Sequence, residues 1–211
     1  LPSEVCVADF VTSGHVSAEE WFLPIGIGDK TLSPVGLLLR EGEHALVTGP
    51  ARSGKSTALA TLAAVARNAA SQVRISAILP RTSPLAESSD IDSVIELEAV
   101  PDLAEVDGPH LLLVDDAELI EDALLGRLIR ERRPGIRVIA AGSAVALRSL
   151  YGHWTQDVRR SRAGCALRPN VVADGDLWQT SLPRRGSEPF PAGRGYLLCD
   201  GEVELVQLGR H

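Results

Sequence analysis

One stretch restricts the fold more than any other: HALVTGPARSGKSTALATLAAVARNAA, residues 44–70. A short apolar run breaks into a turn with glycines at 49 and 54, and an Ala/Leu-rich helical pattern follows at once. Gly49-Pro50-Ala51-Arg52-Ser53-Gly54-Lys55-Ser56 fits GxxxxGK[ST] at every fixed position, and Thr57 comes next. The chemistry accounts for each fixed residue. Gly49 and Gly54 permit backbone conformations that a side chain bars, so consecutive N–H groups turn inward toward phosphate oxygens. A helix beginning near Lys55 presents the positive end of its dipole to the same point. Residues 49–57 are therefore the predicted cradle of a nucleoside triphosphate. Within it Lys55 reaches the β- and γ-phosphates, the Ser56 hydroxyl ligates Mg²⁺, and Thr57 contacts the α-phosphate.

Around this turn strand and helix alternate. Apolar runs at residues 44–49, 73–79, 93–100, 109–114 and 136–142 read as strands, while 118–135 and 144–154 carry helical periodicity. That alternation predicts βαβ units: an α/β fold with a mostly parallel sheet and helices on both faces. Residues 1–36 read as a leading segment of short strands and turns on the edge of the core. After Trp154, short strands are predicted at 163–169, 176–182, 195–200 and 202–208. The last two are joined through Asp200-Gly201 into a C-terminal β-hairpin extension. A chain of 211 residues supports one substantial core, so residues 1–36, 37–150 and 151–211 are taken as parts of one module.

The run LLLV at residues 111–114 ends in Asp115 and Asp116. A carboxylate at that strand tip, beside a phosphate loop, orients the Mg²⁺ shell, usually through water; this is the role expected of Asp115. Asp116 is the candidate for positioning the attacking water. It is one methylene shorter than the glutamate that many motor ATPases place there, which points to slow or absent turnover. The next strand, 136–142, lacks the Thr, Asn or Gln that often senses a γ-phosphate, and Ser143 is the polar residue left for that task. Lys55, Asp115 and Asp116 are thus the expected catalytic set. Arg130, Arg132, Arg133, Arg159, Arg160 and Arg162 are candidates for an arginine that completes a neighbouring subunit's site.

Composition narrows the partners. The formal net charge is −7, an unfavourable field for duplex DNA. Acidic residues crowd 87–122 and arginines run from Arg127 to Arg168, a pattern that suits solvated helix faces and contact with a neighbouring copy alike. Cys6, Cys165 and Cys199 form no CxxC pair and read as plain thiols of a reducing compartment. The five histidines have no metal-ligand spacing, and no apolar run reaches the length of a membrane span. Methionine is absent even at position 1, so the sequence is expected to be a piece of a longer chain, with anchors or partner domains upstream.

Longer stretches resemble the FtsK/SpoIIIE-type P-loop ATPases. LPIGIGDKTLSPVGLLLREGEHALVTGPARSGKST is similar to that family's short β segment leading straight into the phosphate loop. YGHWTQDVRRSRAGCALRPN, DGDLWQTSLPRRG and PAGRGYLLCDGEVELVQL are similar to the C-terminal part of actinobacterial members, including the tandem modules of EccC-like type VII secretion motors. The resemblance implies a RecA-like core that stacks or forms rings, with ATP and Mg²⁺ between modules and weak or assembly-dependent hydrolysis. It implies neighbouring ATPase modules and a secreted substrate's export signal as partners. It also implies a cytoplasmic location, tethered to the inner membrane through upstream segments. Two other readings stay open: a regulatory or docking module with a structural nucleotide, and a DNA-translocating ATPase. The acidic charge and the lack of a separate basic DNA-reading domain count against DNA.

Overall fold

The apolar runs pair into a single sheet of eleven strands in the computed structural model, which describes residues 1–100, 103, 107–121, 123–183 and 190–210. In chain order the strands are β1 (His15–Val16), β2 (Glu20–Gly28), β3 (Pro34–Arg40), β4 (Ala45–Thr48), β5 (Arg74–Ile78), β6 (Ser93–Val94), β7 (His110–Val114), β8 (Ile136–Gly142), β9 (Ala163–Leu167), β10 (Arg194–Cys199) and β11 (Glu202–Leu208). The helices are α1 (Lys55–Ala69), α2 (Ala123–Arg130), α3 (Ala144–Ser149), α4 (Thr155–Arg159) and α5 (Val171–Trp178). Spatially the strands run β1-β2-β11-β10-β9-β4-β8-β7-β5-β6, with β3 on the free side of β2. Every pairing from β9 to β6 is parallel. The other strands extend this core antiparallel.

Side chains alternate between two apolar layers, as the period of two requires. Ala45 and Val47 of β4 join Leu59 and Leu62 of α1 on one face. Leu46 joins Leu128 of α2, Trp154 and Trp178 on the other. Helices therefore cover both faces, and β4, β7, β8 and β9 are buried throughout. The leading segment is integral to this arrangement: Trp21, Leu23 and Ile25 of β2 are fully buried, and β2 pairs with β11. Among the described residues no helix is long and apolar enough to cross a membrane.

Three local expectations are corrected. Residues 176–182 do not form a strand, because α5 occupies Val171–Trp178. Its first turn is held reciprocally: Asn170 N–H donates to Asp174 Oδ2 at 3.0 Å and Asp174 N–H to the Asn170 carbonyl at 2.8 Å. The Trp178 indole then donates to Thr48 Oγ1 beneath β4, at 3.3 Å. The strand read at 93–100 shrinks to two paired residues at the sheet edge, followed by a 3-10 turn at Leu97–Ala99. The helix read at 144–154 stops at Ser149, since Leu150 is extended and Gly152 is left-handed at φ +69°. Residues 184–189, which include the end of DGDLWQTSLPRRG, lie outside the described residues.

A buried pair fastens the lower end of the sheet. The guanidinium of fully buried Arg137 sits 5.4 Å from the ring centroid of Trp21, linking β8 to β2. Beside it His44, 3% exposed, accepts the Val138 N–H at 3.1 Å through Nδ1. Burial first, then the Arg137 charge, push the His44 pKa down from 6.5 to about 4. Above pH 6.5 both folded and unfolded chains leave His44 neutral. Between pH 6.5 and 4 only the unfolded chain takes up the proton, so stability falls as pH falls, by on the order of 3 kcal/mol across the window. Melting temperature is expected to drop over that range, and less steeply in His44→Asn, whose amide oxygen accepts the same N–H. A residual slope remains from His110 and His153, whose pKa values burial also lowers.

Candidate nucleotide-binding site

β4 is flanked in parallel by β8 and β9, and the ladder continues one residue further: Gly49 N–H donates to the Gly142 carbonyl at 3.2 Å. The chain then has to turn in little space. A Cβ on Gly49 would stand 2.4 Å from Ser53 Oγ and 2.8 Å from the Leu167 carbonyl oxygen. Gly54, the residue before α1, has φ +106°, a conformation glycine adopts at little cost. Arg52 is also left-handed, at φ +58°. The result is a concave loop feeding a fifteen-residue helix. Among the described residues, the amides of Gly54, Lys55, Ser56 and Thr57 have no backbone acceptor. Four unmatched donors at a helix N-terminus are the fit a phosphate chain requires.

The side chains of the loop divide by role. Lys55 Nζ lies back across the mouth and donates to the Gly49 and Pro50 carbonyls, at 3.2 Å each. Ala51, Arg52 and Thr57 are exposed. Ser53 is wholly buried under Gly49, and its carbonyl accepts the Gly193 N–H at 3.2 Å. Ser53 thus braces the loop from beneath.

β7 delivers the acids. Asp115, 4% exposed, follows β7, and its Oδ2 accepts hydrogen bonds from Ser56 Oγ at 2.7 Å and Ser83 Oγ at 2.8 Å. Hydroxyl and carboxylate oxygens converging at the mouth of a phosphate cradle are the hard donors Mg²⁺ takes, so the residues present fit that ion. No cluster of three or more His, Cys, Asp or Glu able to hold a metal occurs among the described residues. Asp116 adopts a left-handed conformation, φ +45° and ψ +46°, and its N–H donates to Asp115 Oδ1 at 3.1 Å. The bend sends the chain into a 3-10 turn, Ala117–Leu119, that carries Glu118 back over the end of β8. Glu118 Oε1 accepts the Ser143 N–H at 3.1 Å, while buried Oε2 has no hydrogen-bond partner among the described residues.

The fold gathers Lys55, Ser56, Asp115, Asp116 and Ser143, the residues expected from the sequence, at one end of the sheet. It adds Ser83, Glu118 and Gly193, which the sequence did not mark. Each comes from a different loop, and none belongs to a local motif. Of the candidate arginines, Arg130 and Arg160 pair with Asp157 at 2.7 and 3.3 Å, and Arg133 with Glu131 at 2.9 Å. Arg132, Arg159 and Arg162 have no ion pair among the described residues.

A strand-turn-helix phosphate cradle with a carboxylate on the neighbouring buried strand defines a P-loop nucleotide-binding domain. The chain belongs to the AAA-domain family, whose model matches residues 35–160. Its fold is that of the ATPase domains of EccC and EssC. The whole chain superposes on Thermomonospora curvata EccC (ATPases 2 and 3) in complex with a signal sequence peptide, with TM-score 0.73 and 21% identity over 44% of that chain. It superposes equally on the cytoplasmic domain of EssC, with TM-score 0.73 and 18% identity over 48% of that chain. VirB4 of Thermoanaerobacter pseudethanolicus matches 94% of this chain and 98% of its own, with TM-score 0.62 and 10% identity. The chain therefore spans less than half the length of the EccC and EssC structures. No curated protein matches by sequence.

Gly49→Ala is expected to destabilise the domain by about 1–3 kcal/mol, because the added methyl group has to displace backbone and not only a side chain. A fall in melting temperature together with loss of ATP binding would report it.

Proposed function

We propose that this chain is an ATP-binding module of a translocase of the EccC/EssC kind, most specifically a protein-secretion motor. The observation that carries the proposal is the set of unmatched amides at Gly54–Thr57 facing the Ser56–Asp115 pair. The end-to-end superposition on EccC ATPases 2 and 3 supports the motor context. The amides and Lys55 hold the phosphates, Thr57 lies toward the nucleoside side, and Ser56 and Asp115 hold Mg²⁺, with Asp115 acting through water. When bound, Mg²⁺ would supply charge neutralisation for the β- and γ-phosphates. Pro50, Ala51, Arg52 and Ser53 shape the loop between its glycines.

Turnover is proposed to be weak or to depend on assembly. Asp116 has no side-chain hydrogen bond among the described residues and serves the bend; Glu118 offers a buried, unpartnered oxygen beside Ser143. We assign the water-positioning role to Glu118, with Asp116 secondary. This chain contributes an arginine to a neighbouring module's site, for which Arg132, Arg159 and Arg162 have no ion pair among the described residues. The signal-sequence peptide on the EccC structure supports an export signal as a partner. The cytoplasmic EccC domain supports a location on the cytoplasmic side of a membrane. The net charge of −7 continues to disfavour DNA.

Three outcomes test this reading. Lys55→Ala is expected to lower ATP affinity at least tenfold in equilibrium titrations, and parent-like binding by that variant removes the proposal. Turnover per chain is expected to rise with protein concentration; a flat profile favours a structural nucleotide instead. In the assembled protein Glu118→Gln is expected to cut kcat by about a hundredfold with KM within threefold, and Asp116→Asn by much less.

A further inference from the structure

The Asp115 carboxylate is held by a hydroxyl that neither the phosphate loop nor β7 supplies. Its Oδ2 accepts Ser56 Oγ–H at 2.7 Å from the start of α1, and Ser83 Oγ–H at 2.8 Å from the loop after β5. Its Oδ1 accepts the Asp116 N–H at 3.1 Å. An ionised carboxylate offers about four acceptor sites. Among the described residues two are taken on Oδ2 and one on Oδ1, which leaves a single site on Oδ1.

Ser83 is itself fixed in place. It caps a 3-10 turn, Pro84–Glu87: its Oγ accepts the Leu85 N–H at 3.3 Å and its carbonyl accepts the Ala86 N–H at 3.0 Å. Leu85, 1% exposed, packs in the same apolar layer as Leu59 and Leu62 of α1. At the other end of the loop, the Ile78 carbonyl of β5 accepts the Asp115 N–H at 3.1 Å. A serine hydroxyl has one proton. With Oγ accepting from Leu85, that proton is given to Asp115. The χ2 angle of an aspartate has only a broad preference of its own. Bonds to both carboxylate oxygens therefore decide how the group is turned.

We propose that Ser83 is a positioning residue for Asp115: its hydroxyl holds the carboxylate so that the remaining Oδ1 site receives one Mg²⁺-bound water. The proposal rests on the nucleotide reading above. Ser56 gives its proton to Asp115 and keeps its lone pairs for the ion. Ser83, with a lone pair already taken by Leu85, acts through Asp115 and not on the ion. Its contribution is therefore felt by ATP with Mg²⁺ and not by ATP alone.

The test titrates ATP calorimetrically into the 211-residue chain, once with Mg²⁺ and once with EDTA. Ser83→Ala removes both bonds of the hydroxyl. Ser83→Gly removes them too, at a cap position where glycine is better tolerated than alanine, and serves if the alanine variant does not fold. Ser83→Thr keeps donor and acceptor. The alanine and glycine variants are expected to bind ATP about tenfold more weakly with Mg²⁺ and within about twofold of the parent in EDTA. The Mg²⁺ concentration that half-saturates ATP binding rises by the same factor, and Ser83→Thr stays close to the parent in both conditions. A role confined to capping the turn would lower the melting temperature and weaken ATP equally with and without Mg²⁺. Such an equal loss, parent-like affinity in the alanine and glycine variants, or a threonine variant as weak as alanine overturns the inference and leaves the loop reading standing. A parent chain that binds no ATP removes the loop reading, one whose ATP affinity ignores Mg²⁺ removes the ion site, and either takes the inference with it.

Discussion

The confinement of β4 between β8 and β9 determines the rest of the molecule. A four-residue strand buried on both faces and hydrogen-bonded on both edges cannot shift register without moving every apolar side chain to the wrong layer. It therefore delivers Gly49 to one fixed point, where the Leu167 carbonyl and Ser53 leave no room for a side chain. Parallel pairing brings the C-terminal ends of β4, β7 and β8 to the same side, which is why Ser56 and Asp115 meet, and Ser143 lies at the same end of the sheet, although all are far apart in sequence. Open parallel sheets place ligands at that end for this reason.

The phosphate loop was legible in the sequence because each of its requirements is local: an apolar strand, two glycines at fixed spacing, a helix at once. The parallel core was legible for the same reason, since LLLV and IRVIAAG have the unbroken apolar character of strands covered on both faces. Residues 176–182 were misread because Leu, Trp and Thr suit a strand equally well. The reciprocal bonds between Asn170 and Asp174 and the Trp178 contact with Thr48 decide for a helix, and the second of these is long-range. Glu118 was illegible because its position depends on a backbone bend at Asp116, which the residue type permits but does not announce.

The antiparallel half contributes more to the site than its distance along the chain suggested. The segment before residue 36 places Trp21, Leu23 and Ile25 in the core, and Trp21 shares the buried Arg137 with β8. The terminal hairpin, foreseen as an extension, holds the phosphate loop through Gly193 and Ser53. Loop, hairpin and leading segment form one connected unit, so a substitution in any of them reaches the others through a few named hydrogen bonds.

The pairing of Cys6 with Arg210, an isolated bridge, sets the two ends of the chain side by side. Tension applied along the backbone from both ends would meet that bridge first, before any strand of the central sheet carried load. Because that bridge is parallel, the pull would load its backbone bonds in shear, ahead of the interior ladders between β4, β8 and β9.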